Sequence, residues 1–260
     1  MSPLKKIAIT REPSAAYHQC SLEFIQRRAI DMERARDQHR AYVNSLRIAG
    51  MEVMVLPAVD TFPDCCFVED TAVVLGDAAL ITNMGSDSRN GEQQQVADCL
   101  AQWCHLLHMR SPATLEGGDV LRVDDYIFVG RSRRTNDAGI ETLREFAMAR
   151  GYKVRCIPVE TYLHLKTAVT YVGKDTFITT LQMEHDIKRA VEMESYIVKA
   201  VPKGSEYAAN SLLVNEKVFL PSGYPQVVDY LNGCGILVEE LQMSEFQKGE
   251  GGLTCLSIML

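Results

Sequence analysis

The chain ends in GEGGLTCLSIML, which sets Cys255 behind three glycines. Glycine adds no side-chain contact and loses the most conformational freedom on ordering, so a strand needed only for packing has no use for GEGG ahead of it. The expectation is that something comes close to this backbone, and a substrate reaching the sulfur is the expected visitor. Cys255 is then a candidate nucleophile. His164 of HLK, flanked by Leu163 and Leu165, is the candidate proton carrier. Glu116 of EGGD is the candidate acceptor that fixes its tautomer, and Glu69 and Asp70 of FVED offer negative charge to a cation. Singly these residues are ordinary, since a cysteine among leucines is otherwise a small buried hydrophobe and a single histidine a structural residue. In one pocket they make a nucleophile, a proton shuttle and anionic holders.

Residues so far apart meet only if the fold repeats. FVEDTAVVLGDAALIT, EGGDVLRVDDYIFVG, HLKTAVTYVGKDTFITT and AANSLLVNEKVFLP each read as a polar signature, a strand, a tight turn and a second strand. The turns fall at Gly76-Asp77, Asp124-Asp125, Gly173 to Asp175 and Asn215-Glu216. Helical stretches follow. In GEQQQVADCLAQWCHLL, Val96, Cys99, Leu100, Trp103, Leu106 and Leu107 share helical spacing. DAGIETLREFAMAR, capped by Asn136 and ended by Gly151, precedes the strand YKVRCIPV. EHDIKRAVEM precedes SYIVKAV, PQVVDYLNG precedes ILVEEL, and IDMERARDQHRAYVNSLRIAG precedes MEVMVLP. The signatures begin at Phe67, Glu116, His164, Ala208 and Gly251, roughly 43 to 49 residues apart, a period that marks internal repeats. LTCLSIML lacks a hairpin partner and so does KKIAIT, so pairing of the two terminal strands is expected to close five units into a ring, one domain over residues 1–260. In such a ring Glu69, Asp70, Glu116, Asp119, His164, Asn210 and Cys255 converge on one cavity.

Composition bounds the partners. With 260 residues, 47% of them hydrophobic, the chain has ample material for a core, and a net charge of -7 argues against nucleic acid or an anionic membrane and for a cationic ligand. The start, MSPLKKIAITREPS, has too short an apolar run for a signal peptide or a spanning helix, and eight cysteines without framework spacing read as reduced thiols, so a cytoplasmic protein is expected. GEGG lacks the pattern and following helix of a dinucleotide loop. Cys99, Cys104, His105 and His108 do not have a zinc spacing, and the helical phase buries Cys99 with Trp103. RSRRTN is either a solvated loop or a grip for a carboxylate. A thiol hydrolase of amides needs oxyanion donors, which FVED does not offer.

These blocks resemble the guanidine-modifying, or pentein, superfamily, and within it the dimethylarginine dimethylaminohydrolases. FPDCCFVEDTAVV, SRNGE, EGGDVL, RRTN, HLKT, SEYAAN, LPSGYP and GGLTCLS carry the resemblance over nearly the whole chain. Arginine deiminases generally have arginine where Glu69 stands and aspartate where Lys166 stands; without that aspartate one guanidinium edge is held less tightly, which leaves room for methyl groups. The resemblance implies an α/β five-bladed propeller of ββαβ units. It implies Cys255 as nucleophile, His164 as general acid and base, and Glu116 as its partner. Asp70 would hold the guanidinium, supported by Glu69 and Asp64. Arg89 and Arg134 would take the α-carboxylate, and backbone carbonyls near Leu22 and Gly249 the α-amino group. The implied reaction converts Nω-methylated arginine, the small-molecule partner, to citrulline and dimethylamine or methylamine through a covalent thiouronium, with no cofactor or metal. Oligomeric state stays open, a homodimer included. Deimination of arginine or agmatine and amidino transfer are the sister reactions. Ribosome-binding penteins are the non-enzymatic alternative, and they need neither the Cys-His-Glu set nor an acidic pocket.

Overall fold

Left-handed backbone at Gly76 (φ +64), Asp124 (φ 50), Gly173 (φ +85) and Asn215 (φ 55) reverses the chain at each of the four expected turns. The computed structural model describes residues 6–192 and 195–260; the first five residues, and Met193 at the end of the predicted EHDIKRAVEM helix, lie outside the described residues. Strand β1 (Ile7–Arg11) leads through α1 (Met32–Ile48) to β2 (Glu52–Leu56). A ββαβ unit then recurs. The first is β3 (Ala72–Leu75), β4 (Ala78–Ile81), α2 (Gln93–Leu100) and β5 (His105–His108). The second is β6 (Val120–Val123), β7 (Tyr126–Arg131), α3 (Asp137–Met148) and β8 (Lys153–Pro158). After the short α4 (Leu165–Ala168) come β9 (Val169–Tyr171), β10 (Thr176–Thr179), α5 (Glu184–Ala190) and β11 (Ile197–Ala200). The last full unit is β12 (Leu212–Val214), β13 (Lys217–Pro221), α6 (Pro225–Gly233) and β14 (Leu237–Leu241), followed by α7 (Ser244–Gln247) and β15 (Ile258–Met259).

Among the described residues the strands form five three-stranded sheets, ordered β15-β1-β2, β3-β4-β5, β6-β7-β8, β9-β10-β11 and β12-β13-β14. Each has one antiparallel and one parallel pair. β15 runs antiparallel to β1, with Ala8 opposite Met259 and Ile9 opposite Ile258, so the two ends of the chain complete the fifth blade. This is the five-bladed α/β propeller expected. Helix α3 illustrates how a blade is held: Ile140, Leu143, Phe146 and Ala147 share one face and pack on Ile127 and Val129 of β7. A fully buried side chain of this size contributes about 1.5–3 kcal/mol. Asn136 caps that helix, its Oδ1 accepting the Gly139 N–H at 2.8 Å, and Asp31 caps α1 by accepting from Arg34 N at 3.0 Å. Among the described residues no helix is long and apolar enough to cross a membrane.

Two local expectations are corrected. The helix expected through GEQQQVADCLAQWCHLL stops at Leu100, and Leu106 and Leu107 belong to β5, paired parallel with β4. A short apolar run after a helix fits helical and extended phases alike, and here the third strand of the blade decides. Trp103 accordingly stands 37% exposed, while Cys99 is buried. The signature residues, read as neighbours of strand ends, occupy helical turns: Val68–Thr71, Gly117–Asp119, Glu206–Ala209 and Thr254–Leu256 are 3-10 turns and α4 is one helical turn.

Those turns link blade to blade. Asp70 Oδ1 accepts from Gly118 N (2.9 Å), and Asp119 Oδ1 accepts from Leu165 N (2.8 Å). Asn210 donates to the Lys166 carbonyl (2.9 Å) and accepts from Thr254 N (3.1 Å). Thr254 Oγ1 donates to Glu69 Oε2 (2.8 Å), which returns the circuit to the first signature.

Candidate active site

One narrow cleft, about 20 Å³, is lined by Asp64, Asp70, Arg89, Arg134, His164 and Cys255, with Ser21, Phe67, Leu163, Gly249, Glu250 and Gly251 completing its walls. Cys255 lies on the 3-10 turn before β15, and its Sγ accepts the Gly252 N–H at 3.3 Å. His164 stands immediately ahead of α4 with its backbone extended, and Asp119 fixes the next residue. Behind it, fully buried, Glu116 meets His164 Nε2 through Oε2 at 2.7 Å; Asp70 Oδ1 lies 3.9 Å from the same nitrogen. Burial opposes charge on the ring, but Asp70, the Glu116 hydrogen bond and Asp119 outweigh it and raise His164 to about 9. Glu116 is held well below the usual carboxylate range: burial works against its charge, and His164, Arg89 and Arg134 overcome that. Burial, then the charges of Glu69 and Asp70, push the Cys255 thiol up to about 12. At neutral pH the pair is therefore a neutral thiol beside an imidazolium.

The remaining expected residues fall into distinct places. Arg89 is buried and spends its donors inside the protein, with Nη1 to Asp70 (2.7 Å), Nε and Nη2 to Glu92 (3.0 and 2.8 Å) and Nη2 to the Phe67 carbonyl (3.1 Å). Arg134 reaches Glu116 through Nη1 (3.1 Å) and Glu23 through Nε (2.9 Å) and Nη2 (2.6 Å). Asp64 accepts the Ser21 N–H. Leu22 packs on a core cluster, while its neighbour Ser21 lines the cleft. Glu69 is absent from the cleft wall: it pairs with Lys166 at 2.5 Å, and both line a larger channel of about 380 Å³ bordered by β3, β6, β9, β12 and β15. The larger cavity is thus not where nucleophile and imidazole meet. Asp119 and Asn210, expected at the cavity, are anchors between blades.

The glycines ahead of Cys255 make room for the protein's own side chains as well as bordering the cleft. A Cβ at Gly251 would run into the Phe67 ring, one at Gly252 into Asn210, and one at Gly249 into the Tyr17 hydroxyl. It is the protein's own side chains that press on this backbone, although Gly249 and Gly251 also border the cleft. Gly118 matters more to the chemistry. A Cβ there would lie 2.6 Å from His164 Nδ1 and 2.8 Å from Asp70 Oδ1, so Gly118→Ala must displace one of them. Catalysis by this cleft is expected to fall about 100-fold or more in that variant, as measured by kcat/KM, with the circular dichroism spectrum retained.

Sequence reasoning missed Glu92, Glu23 and Glu250. Glu92 was legible as an i,i+3 partner of Arg89 in SRNGE; the other two act through loop geometry that no spacing announces. Among the described residues Asp70, Glu116 and His164 are the one group whose ligand atoms converge, within 4.8 Å. A protonated imidazole and the Arg89 guanidinium, 2.7 Å from Asp70 and 3.8 Å from Glu116, already meet that negative charge, which makes the trio a poor cation site.

The family described as N,N dimethylarginine dimethylhydrolase, eukaryotic, matches residues 5–203. The chain is 34% identical over 260 residues to the N(G),N(G)-dimethylarginine dimethylaminohydrolase of Streptomyces coelicolor, covering 99% of this chain and 98% of that protein. It is 30% identical over 230 residues to the enzyme of the same name from Pseudomonas aeruginosa, covering 88% and 89%. The solved structure of the Pseudomonas aeruginosa enzyme, a cysteine-to-serine variant complexed with citrulline, superposes with a TM-score of 0.93 at 28% identity, covering 99% of this chain and 100% of that one.

Proposed function

The chain belongs to the dimethylarginine dimethylaminohydrolase family, and on that premise we propose that it hydrolyses Nω-methylated arginine to citrulline and dimethylamine or methylamine. The observation that carries the reading is a cysteine and a carboxylate-held imidazolium in one cleft with Asp70, negative surroundings suited to a guanidinium carbon. An amide hydrolase would need donors aimed at an oxyanion, whereas a guanidinium brings positive charge that is partly lost on attack.

Arrival of the cationic substrate beside Cys255 favours the thiolate, and the thiol proton leaves to solvent. The sulfur attacks the guanidinium carbon. His164, already protonated, gives its proton to the departing amine, which leaves a thiouronium on Cys255. The now neutral imidazole takes a proton from water as it adds to the same carbon. Collapse of that adduct expels the sulfur, which takes up the adduct's hydroxyl proton to return to the resting thiol, and releases citrulline beside the imidazolium already formed. Glu116 positions the ring throughout, Asp70 holds the guanidinium with Asp64 in support and Glu69 adding only its charge from the neighbouring channel, and Arg134, joined by Arg89 where substrate displaces its bond to Asp70, meets the α-carboxylate. The carbonyls near Leu22 and Gly249 receive the α-amino group.

The proposed unit is a single catalytic domain over residues 1–260. Its partner is the small-molecule substrate, with no nucleic acid, and eight free thiols favour the cytoplasm. Incubation with mono- and dimethylated arginine should yield citrulline and the matching alkylamine one for one; ammonia from arginine as the main activity would replace this reading with a deiminase. The resting thiol offers a second test. Peptide-resolved alkylation of Cys255 should keep accelerating with pH through pH 10, and a bound guanidinium analogue should move the curve to lower pH, since the free thiol sits at about 12. Identical curves with and without the analogue would refute substrate-induced ionisation.

A further inference from the structure

Ser21 borders the cleft, and the segment it opens, as far as Ile25, is tied to the cleft wall by two carboxylates of opposite direction. From the wall, Glu250 accepts three successive backbone N–H groups of the segment, those of Glu23 (2.9 Å), Phe24 (2.5 Å) and Ile25 (2.7 Å). Glu250 does so from left-handed backbone (φ 58) between two glycines, a conformation that disfavours glutamate by itself. From the segment, the Glu23 side chain reaches back to Arg134 through both Nε and Nη2, while Arg134 Nη1 is bound to Glu116. Both of these guanidinium positions are thereby filled by the protein's own acids.

We propose that Glu23 is a specificity-determining residue: its carboxylate occupies the face of Arg134 that an incoming α-carboxylate must take, so a substrate enters by exchanging one carboxylate for another. This rests on the reading of Arg134 as the carboxylate's partner. Only a ligand that carries a carboxylate needs the exchange, and a decarboxylated counterpart leaves Glu23 on Arg134, so Glu23 holds down the affinity for amino acids alone. Glu250 keeps the backbone of the segment anchored, so Glu23 leaves by rotating its side chain and returns when product departs. The Glu23 side chain is 30% exposed, which leaves it free to swing outward.

The test compares wild type with Glu23→Gln. For monomethylarginine, KM should fall about fivefold in the variant, the change expected for removing one partly exposed charged competitor, while KM for the decarboxylated methylguanidine should stay where it is. Calorimetric binding of L-arginine and agmatine to Cys255→Ser protein, with and without Glu23→Gln, reads the same selectivity without turnover: the preference for arginine should widen about fivefold. An unchanged or raised KM for the amino acid, an equal shift for both ligands, or no binding of either ligand overturns the proposal. If wild type hydrolyses methylarginine but the preference does not move, the gate fails and the functional reading stands. If the preference widens in a protein that hydrolyses neither methylated substrate, the gate stands and the reaction assignment falls.

Discussion

Replacing Cys255 with serine should lower kcat by at least about 10⁴-fold while the protein still folds and still binds its ligand. The side chain differs by one atom, and a hydroxyl can keep the hydrogen bond that the sulfur accepts from Gly252 N. What the serine loses is access to an anion. The same burial and the same Glu69 and Asp70 charges that push the thiol up to about 12 act on a hydroxyl whose own acidity is far weaker, and His164 is already protonated and cannot serve as its base at neutral pH. A bound cation narrows the gap for a thiol, and for a hydroxyl it leaves too large a remainder. Mass spectrometry of acid-quenched wild type during turnover should show the thiouronium adduct on the peptide carrying Cys255, and the variant should show none. A serine variant within tenfold of wild type would remove the cysteine from the mechanism and with it the covalent intermediate.

The blades were legible because their signals are local. Glycine, asparagine and aspartate at the four reversals, and the apolar face of α3 below its Asn136 cap, follow from one stretch of chain at a time. The convergence of Asp70, Glu116, His164 and Cys255 was legible only through the repeat, since a common phase in five units carries them to one axis. What sequence could not supply is the set of contacts made between units. Asp119 and Asn210 look like site residues by phase, yet each satisfies a backbone group of the next blade, and an anchor and a ligand have the same spacing. Glu69 and Asp70 are adjacent and face different cavities, because successive residues of a 3-10 turn point about a third of a revolution apart. The three glycines near Cys255 likewise signalled close approach without saying by what, and the approaching groups are Phe67, Asn210 and Tyr17.

The second large effect concerns the proton. Glu116→Gln should cut kcat by about 10²-fold or more at pH 7.5, because it loosens the ring that Glu116 positions and lowers, by no more than about tenfold, the fraction of His164 held as the imidazolium on which departure of the amine depends. In the folded protein His164 is raised from 6.5 to about 9. A group raised in this way contributes stability that is complete below pH 6.5 and is lost as pH climbs through about 9. The protonated fraction that delivers a proton to the leaving group follows the same curve, so wild-type kcat should decline on the alkaline side with a midpoint near 9. Glutamine can still accept a hydrogen bond from the ring but brings no charge, and the midpoint should move toward neutrality. Asp70 and Asp119 remain, so it should not return all the way. Glutamine also leaves Arg89 and Arg134 short of an anion in a buried setting, a loss worth about 3–5 kcal/mol where one partner of a buried pair is removed, so a lower melting temperature is expected as well. That loss alone cannot move a titration. Nuclear magnetic resonance of the His164 ring separates the two consequences: a midpoint that stays near 9 in a folded Glu116→Gln protein would mean that Asp70 and Asp119 charge the imidazole without Glu116, and the acid would have to be assigned to that pair instead.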